Sequence, residues 1–217
     1  ETMNSPDESI YEVLKNAEDF MYRRKLLEHL SSHSALIAAI RATLLEKNHE
    51  TEEHSERLIG YAKSLGRALQ LSQKELDELE LLASLHDIGK VGIPEHILQK
   101  PGPLDAKEWF EIKKHPEIGY RIAMATPELM PIARYILCHQ ERWDGKGYPN
   151  QLEGETIPLL SRVISVVDAY DAMTQDRPYR KGIGKEAALQ ELITHAGTQF
   201  DPHLVNVFIT QVLGEKM

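Results

Sequence analysis

Apolar residues recur at helical spacing along most of the chain. Between residues 9 and 29, Ile10, Val13, Leu14, Ala17, Phe20 and Met21 make a stripe of the kind an α-helix buries. Residues 34–47 repeat the pattern. A third run, 50–71, carries Leu58, Tyr61, Ala62, Leu65 and Leu69 on one face. Ser72-Gln-Lys-Glu75 is a capping box opening a fourth helix towards Leu85, and Asp105-Ala-Lys-Glu108 looks like another start. Thr126-Pro127 and Asp201-Pro202 each pair an N-cap residue with a first-turn proline, so both predict helix starts. Residues 157–174 and 185–196 complete the set. The apolar stretch 159–167 reads as a buried strand on composition alone. Its length and its continuation into Ala169-Tyr-Asp-Ala-Met173 favour helix. No alternating strand and no internal repeat occur. Glycine and proline concentrate at 89–103 and 145–158, which read as loops. The pattern predicts an all-α protein, with a boundary near 45–50 because the first segments hold none of the chemistry below.

Composition narrows the function classes. The chain has 217 residues, 41% hydrophobic and 27% charged, as expected for a folded domain with an extension. Its net charge of −9 argues against a general nucleic-acid binder, so no DNA partner is expected. A small phosphate ligand held by a few lysines and arginines stays compatible with that charge. The single cysteine, Cys138, permits no internal disulfide and fits a cytoplasmic domain. The longest clean apolar run near the start, Ala35 to Ile40, is too short to span a bilayer. No signal peptide is visible. The opening Glu-Thr-Met leads us to expect a piece of a longer parent, whose membrane anchor or sensor lies outside it.

Candidate chemistry gathers on histidines and acids. Of ten histidines, His29, His33, His49, His96, His195 and His203 need no more than a surface role. The other four sit in different company. Glu50, His54 and Arg57 share a helix face. His86-Asp87 closes the apolar turn Leu81, Leu82, Ala83 and Leu85. His115 precedes Pro116 near a helix start, and His139 follows an apolar Tyr-Ile-Leu-Cys. Asp168 ends the run Val163 to Val167, where a carboxylate wants a cation. Each alone is compatible with an ordinary hydrogen-bonded side chain. As an ordered set on apolar helices, imidazoles plus carboxylates suit a first-row transition metal such as Fe, Mn, Zn or Ni. Paired metals about 3.5–4 Å apart suit phosphodiester hydrolysis. Asp87 has the two oxygens needed to bridge them, and Lys90, one turn on from His86, can meet a phosphate oxygen. Trp109 and Trp143 are expected to pack, Cys138 to be a small buried apolar residue, and the run Glu75–Glu80 to be a solvated helix face.

Seven stretches together resemble an HD-GYP domain. They are HDIGK (86–90), IP (93–94), ILQKPGPL (97–104), HPEIG (115–119), HQERWDGKGYP (139–149), DAYDAMT (168–174) and RPYR (177–180), in the family's order. The resemblance covers about residues 48–210, which sets a domain over 48–217 and a helical segment over 1–47. It implies an all-α bundle of the HD phosphohydrolase superfamily that hydrolyses cyclic di-GMP to pGpG, with further cleavage to GMP as one alternative and cyclic GMP-AMP as an alternative substrate. It implies metal ligands at His54, His86, Asp87, His115, His139 and Asp168, with Glu50 marking the three-metal type. It implies catalytic roles for Asp87, Lys90 and Asp171, and substrate contacts from Lys90, Tyr148, Arg177 and Arg180. Two or three Fe or Mn ions are the expected cofactors, Zn or Ni the alternatives. Where the family usually reads His-His-Glu, this chain reads His139-Gln140-Glu141, which leaves the third metal in question.

The segment NAEDFMYRRK (16–25) resembles the helix that closes a GGDEF-type domain, so residues 1–47 are read as its tail or as a plain helical linker that pairs with a second copy. Two rival functions stay open. One is a weakly catalytic cyclic-dinucleotide sensor, or a module docking a GGDEF-domain protein. The other is a phosphohydrolase acting on a different nucleotide.

Overall fold

The computed structural model describes residues 39, 42–44, 52–175 and 181–216. Contacts divide the chain into Glu1–Ile40 and Arg41–Met217, and the account below concerns the second unit. Its helices are α1 (Glu52–Ala68), α2 (Gln73–Leu85), α3 (Glu95–Leu98), α4 (Ala106–Ile112), α5 (His115–Met124), α6 (Ala133–Cys138), α7 (Leu159–Thr174), α8 (Lys185–Thr194) and α9 (Pro202–Val207), the last running on as a wider turn to Val212. Among the described residues there is no strand, and 159–167 is helical. The fold is all-α, as the hydrophobic pattern predicts. The helices expected at 9–29 and 34–47 lie outside the described residues, apart from residues 39 and 42–44, which are helical.

The core follows from the stripes. Leu58, Ala62 and Leu65 on α1 are buried with Leu79 and Leu82 of α2, Val163, Val166 and Val167 of α7, and Phe208. Tyr61, Tyr170 and Phe208 meet edge-to-face at 5.2–5.8 Å between ring centres, tying α1, α7 and the C-terminal turn together. Helix α1 ends without a glycine. Gln70 takes the left-handed conformation (φ 57°), and the amides of Gln70 and Leu71 donate to Arg67 and Gly66. That closes the helix carbonyls in a Schellman motif. Ser72 follows at once with the expected capping box.

Local expectations fared unequally. The capping box at Asp105 and the Asp201-Pro202 start both form. Thr126-Pro127 does not open a helix. The Thr126 hydroxyl donates back to the Ile122 carbonyl, and the chain passes through a turn and a 3-10 segment (Met130–Ile132) before α6. Segment 89–103 holds a 3-10 turn, Ile88–Gly92, and the short α3 rather than plain loop. Trp109 was expected to pack; with Phe110 it stands exposed (49% and 66%) on α4, which buries no residue. Trp143 is half-buried, with the Arg162 guanidinium 5.7 Å above its ring.

Candidate metal centre

Three histidines reach one place by the same local device. His86 and His139 are the C-cap residues of α2 and α6. His115 comes three residues after the end of α4 and opens α5. The last carbonyls of a helix lack intrahelical partners, and each ring takes one. The Nδ1 atoms lie 3.2, 2.7 and 2.6 Å from the carbonyls of Ala83, Ile112 and Ile136, each three residues earlier. A carbonyl only accepts, so each Nδ1 carries the proton, which makes Nε2 of a neutral ring an acceptor lone pair. Burial holds the His139 pKa below its ordinary value, which keeps that ring neutral.

Those lone pairs converge on Asp87. His115 Nε2 lies 3.2 Å and His139 Nε2 3.4 Å from Asp87 Oδ1, and the two nitrogens are 3.1 Å apart. Asp87, His115 and His139 form a group whose donor atoms all lie within 4.8 Å of one another, and all three are buried. Oδ1 has no hydrogen-bond partner. Three buried acceptors facing one point repel unless a cation lies between them. The donor set therefore fits a transition-metal ion. The other carboxylate oxygen, Oδ2, meets Lys90 Nζ at 2.5 Å and His86 Nε2 at 3.4 Å. Burial alone would raise the Asp87 pKa; the Lys90 ammonium leads the opposing groups, and the carboxylate is held well below its usual range.

A close backbone approach builds this convergence. The 3-10 turn after Asp87 lies against the start of α5, where a Cβ on Gly89 would stand 1.8 Å from the His115 carbonyl oxygen and 2.5 Å from the Gly119 amide. Only glycine permits that distance. HDIGK and HPEIG thus meet through their glycines, which brings Asp87 beside His115.

The remaining expected residues lie differently. His54, on α1, gives Nδ1 to Asp171 Oδ2 at 2.6 Å, and its Nε2 is 4.0 Å from Asp168 Oδ1. The Asp168 side chain is 32% exposed, so it is only half-buried. Asp171 is 1% exposed, and Arg57 grips it through Nε (2.7 Å) and Nη2 (3.2 Å). Burial pushes the Asp171 pKa up, but the His54 and Arg57 hydrogen bonds bring it below the ordinary value. Its carboxylate is thus spent on orienting His54, a carboxylate–histidine pairing typical behind metal ligands. Sequence reading put Arg57 on the His54 face without its partner. Glu50, Arg177 and Arg180 lie outside the described residues.

Tyr148 stands beside His115, with ring centres 6.3 Å apart and Lys113 5.3 Å above its ring. Burial pushes its hydroxyl up to about 12, so it stays a hydrogen-bond donor. The loop that carries it is held by Glu141, which sequence reading passed over. Glu141 is 3% exposed and accepts the Asn150 amide at 2.7 Å and the Leu152 amide at 3.1 Å. A Cβ on Gly147 would come within 2.5 Å of the Glu141 backbone, so the loop folds directly over this acid. The sequence signal was an acid between a candidate ligand and a glycine-rich loop. A cavity of about 230 Å³ beside His139 is lined by Gln140, Arg142, Lys146 and Tyr148 among others. The Gln140 backbone carbonyl accepts the Tyr148 amide at 3.3 Å. Cys138 is buried, and burial pushes its thiol up to about 11, in keeping with a small apolar residue.

Residues 28–204 match the HD domain family. A 3'3'-cGAMP-specific phosphodiesterase of Vibrio cholerae is 38% identical over 165 residues, 75% of this chain and 32% of that protein. A cyclic di-GMP phosphodiesterase of Thermotoga maritima is 37% identical over 165 residues, 75% of this chain and 45% of that protein. The chain thus spans less than half the length of these curated relatives. A crystal structure of a cyclic GMP-AMP specific phosphodiesterase from V. cholerae shares the fold, with a TM-score of 0.64 at 24% identity over 82% of this chain and 48% of that one. The chain belongs to the HD domain family, and the order of its motifs and the relatives it matches set it in the HD-GYP branch.

Proposed function

We propose that this domain is a metal-dependent phosphodiesterase that hydrolyses a cyclic dinucleotide, cyclic di-GMP before others, to pGpG, with further cleavage to GMP as one alternative. The observation that carries the reading is the convergence of Asp87, His115 and His139 on one point, with an unsatisfied buried oxygen among lone pairs. On this reading Asp87, His115 and His139 hold one ion, and His86, His54, Asp168 and Glu50 complete the ligand set. Such an ion, Fe or Mn with Zn or Ni as alternatives, supplies Lewis acidity towards phosphate oxygens and lowers the pKa of water.

The protein's own groups do the rest. Lys90 neutralises charge on the phosphate, the kind of preorganised stabilisation that lowers the barrier when charge develops. Tyr148 donates a hydrogen bond at the mouth of the site. Asp171, through Arg57 on one side and His54 on the other, keeps the His54 ring in one tautomer. Arg177 and Arg180 are proposed phosphate contacts farther out. Relatives named for cyclic di-GMP and for 3'3'-cGAMP both support a cyclic dinucleotide substrate. Gln140, at the position where the family usually has a second histidine, favours two metals over three. The parent protein is proposed to carry a further domain ahead of residue 48, with a GGDEF-domain protein or a second copy as partner and with this domain in the cytoplasm.

The test is turnover of cyclic di-GMP by protein purified without oxygen and reconstituted with Fe(II) or Mn(II). Metal-dependent pGpG or GMP is the expected outcome. Intact dinucleotide from protein with a loaded site would overturn hydrolysis in favour of the sensor reading, which Gln140 supports.

A further inference from the structure

We propose that Lys90 is a resident cation in the second half of the centre: its ammonium occupies the oxygen of Asp87 that a second metal ion must use, so the two metal positions load unequally. The inference rests on the metal-centre reading above and adds an order to it.

Asp87 divides its two oxygens between two settings. Oδ1 faces only lone pairs, from His115 and His139, and has no hydrogen-bond partner. That position is preformed for a cation. Oδ2 is already answered, by Lys90 Nζ at 2.5 Å, with His86 Nε2 at 3.4 Å on the same oxygen. A carboxylate shared between two ions would therefore offer a bare acceptor at one oxygen and an ion pair at the other. A dication on Oδ2 would lie beside the ammonium, so like-charge repulsion opposes it until Lys90 swings away. Lys90 is three residues after Asp87, across the 3-10 turn, so the pair is local and short. Its side chain is 23% exposed, which gives it a path to solvent and tempers the repulsion by screening. The same ammonium is the proposed phosphate contact.

The experiment is a calorimetric titration of chelator-stripped protein with Mn(II), under conditions where circular dichroism reports native helix content. Wild type is expected to take a first equivalent tightly and a second more weakly. Lys90→Gln, which keeps bulk and removes charge, is expected to tighten the second equivalent by about tenfold or more while changing the first by no more than about twofold. Lys90→Arg keeps a cation on the turn and should behave as wild type. Lys113→Gln removes a cation from beside Tyr148 instead, and should leave the second equivalent unchanged.

The proposal is overturned if Lys90→Gln leaves the second equivalent as weak as before, or if it tightens both equivalents alike. Equal tightening by Lys113→Gln would also overturn it, since the effect would then be the general field. If wild-type protein binds no Mn(II) at all, the metal-centre reading falls and this inference with it. If the first equivalent binds and only the Lys90 difference is missing, the metal centre stands without the resident cation.

Discussion

The two halves of the site use the same residue types to different effect. Around Asp87 Oδ1, two imidazoles and a carboxylate come within 3.4 Å, supplied by three separate helix ends. Around His54, one imidazole and the half-buried Asp168 stand 4.0 Å apart, carried by the long helices α1 and α7. Helix ends bring free carbonyls, and each carbonyl fixes a ring. A helix start offers free amides instead of free carbonyls. His54 lies in the first turn of α1, so its ring is fixed from outside by Asp171, and Asp171 in turn by Arg57. The first half is set by short local tethers, the second by a chain of long-range ones. The proposed consequence is a tight cation position beside a looser one.

The harshest way to break the comparison is to remove Asp87, whose two oxygens are proposed to serve both metal positions. Asp87→Ala is expected to abolish metal in both halves and lower hydrolysis by about 10³-fold or more, the size of several kcal/mol of lost Lewis-acid stabilisation. Metal analysis alongside turnover checks this, and retained metal in the first half would detach Asp87 from it. Gly89→Ala comes next. The added Cβ meets the backbone of His115 and Gly119, which cannot yield as a flexible side chain would. A loss of about 1–3 kcal/mol of stability is expected from overpacking, with first-half metal reduced and the His54–Asp171 contact untouched. Chemical denaturation and Mn(II) binding read the two effects separately.

How much of this was legible depended on how local each cause is. The capping boxes at Ser72 and Asp105 are complete within four residues, and both form. The end of α1 is equally local, but Gln70 sits where a glycine would have signalled it. Thr126-Pro127 looked like a helix start, yet the preceding helix claims the hydroxyl. The donor residues His54, His86, Asp87, His115, His139 and Asp168 could be picked out by type and by motif. Their grouping could not, because it turns on the Gly89–His115 approach. Glu141 was missed because its partners are backbone amides that only the folded loop brings to it. Asp201 was read as a cap alone, yet it also takes Arg162 at 2.5 Å, from 39 residues away.

A gentler variant sharpens the contrast. Asp171→Asn keeps the shape but removes the charge that His54 and Arg57 share. Affinity at the looser half is expected to fall about 10–100-fold, as for other carboxylates behind metal-binding histidines, and the first half to keep its metal. Loss of both equivalents together would mean that the two halves are one cooperative site.

Cys138 offers the smallest effect and the cleanest boundary. It adjoins His139 on α6 and is buried, so a thiolate ligand is the obvious rival explanation for metal there. Yet the converging donors are Asp87, His115 and His139, without Cys138. The helix explains why. The His139 ring is turned to the centre by its bond to Ile136, and a neighbouring residue on an α-helix points about 100° away. Cys138→Ala should therefore leave Mn(II) binding within about twofold and cost about 1 kcal/mol of stability, the price of one small buried group. Loss of the first equivalent in this variant would make Cys138 a fourth donor. The tight half would then owe its affinity to a sulfur ligand rather than to the convergence of two tethered imidazoles on one carboxylate oxygen.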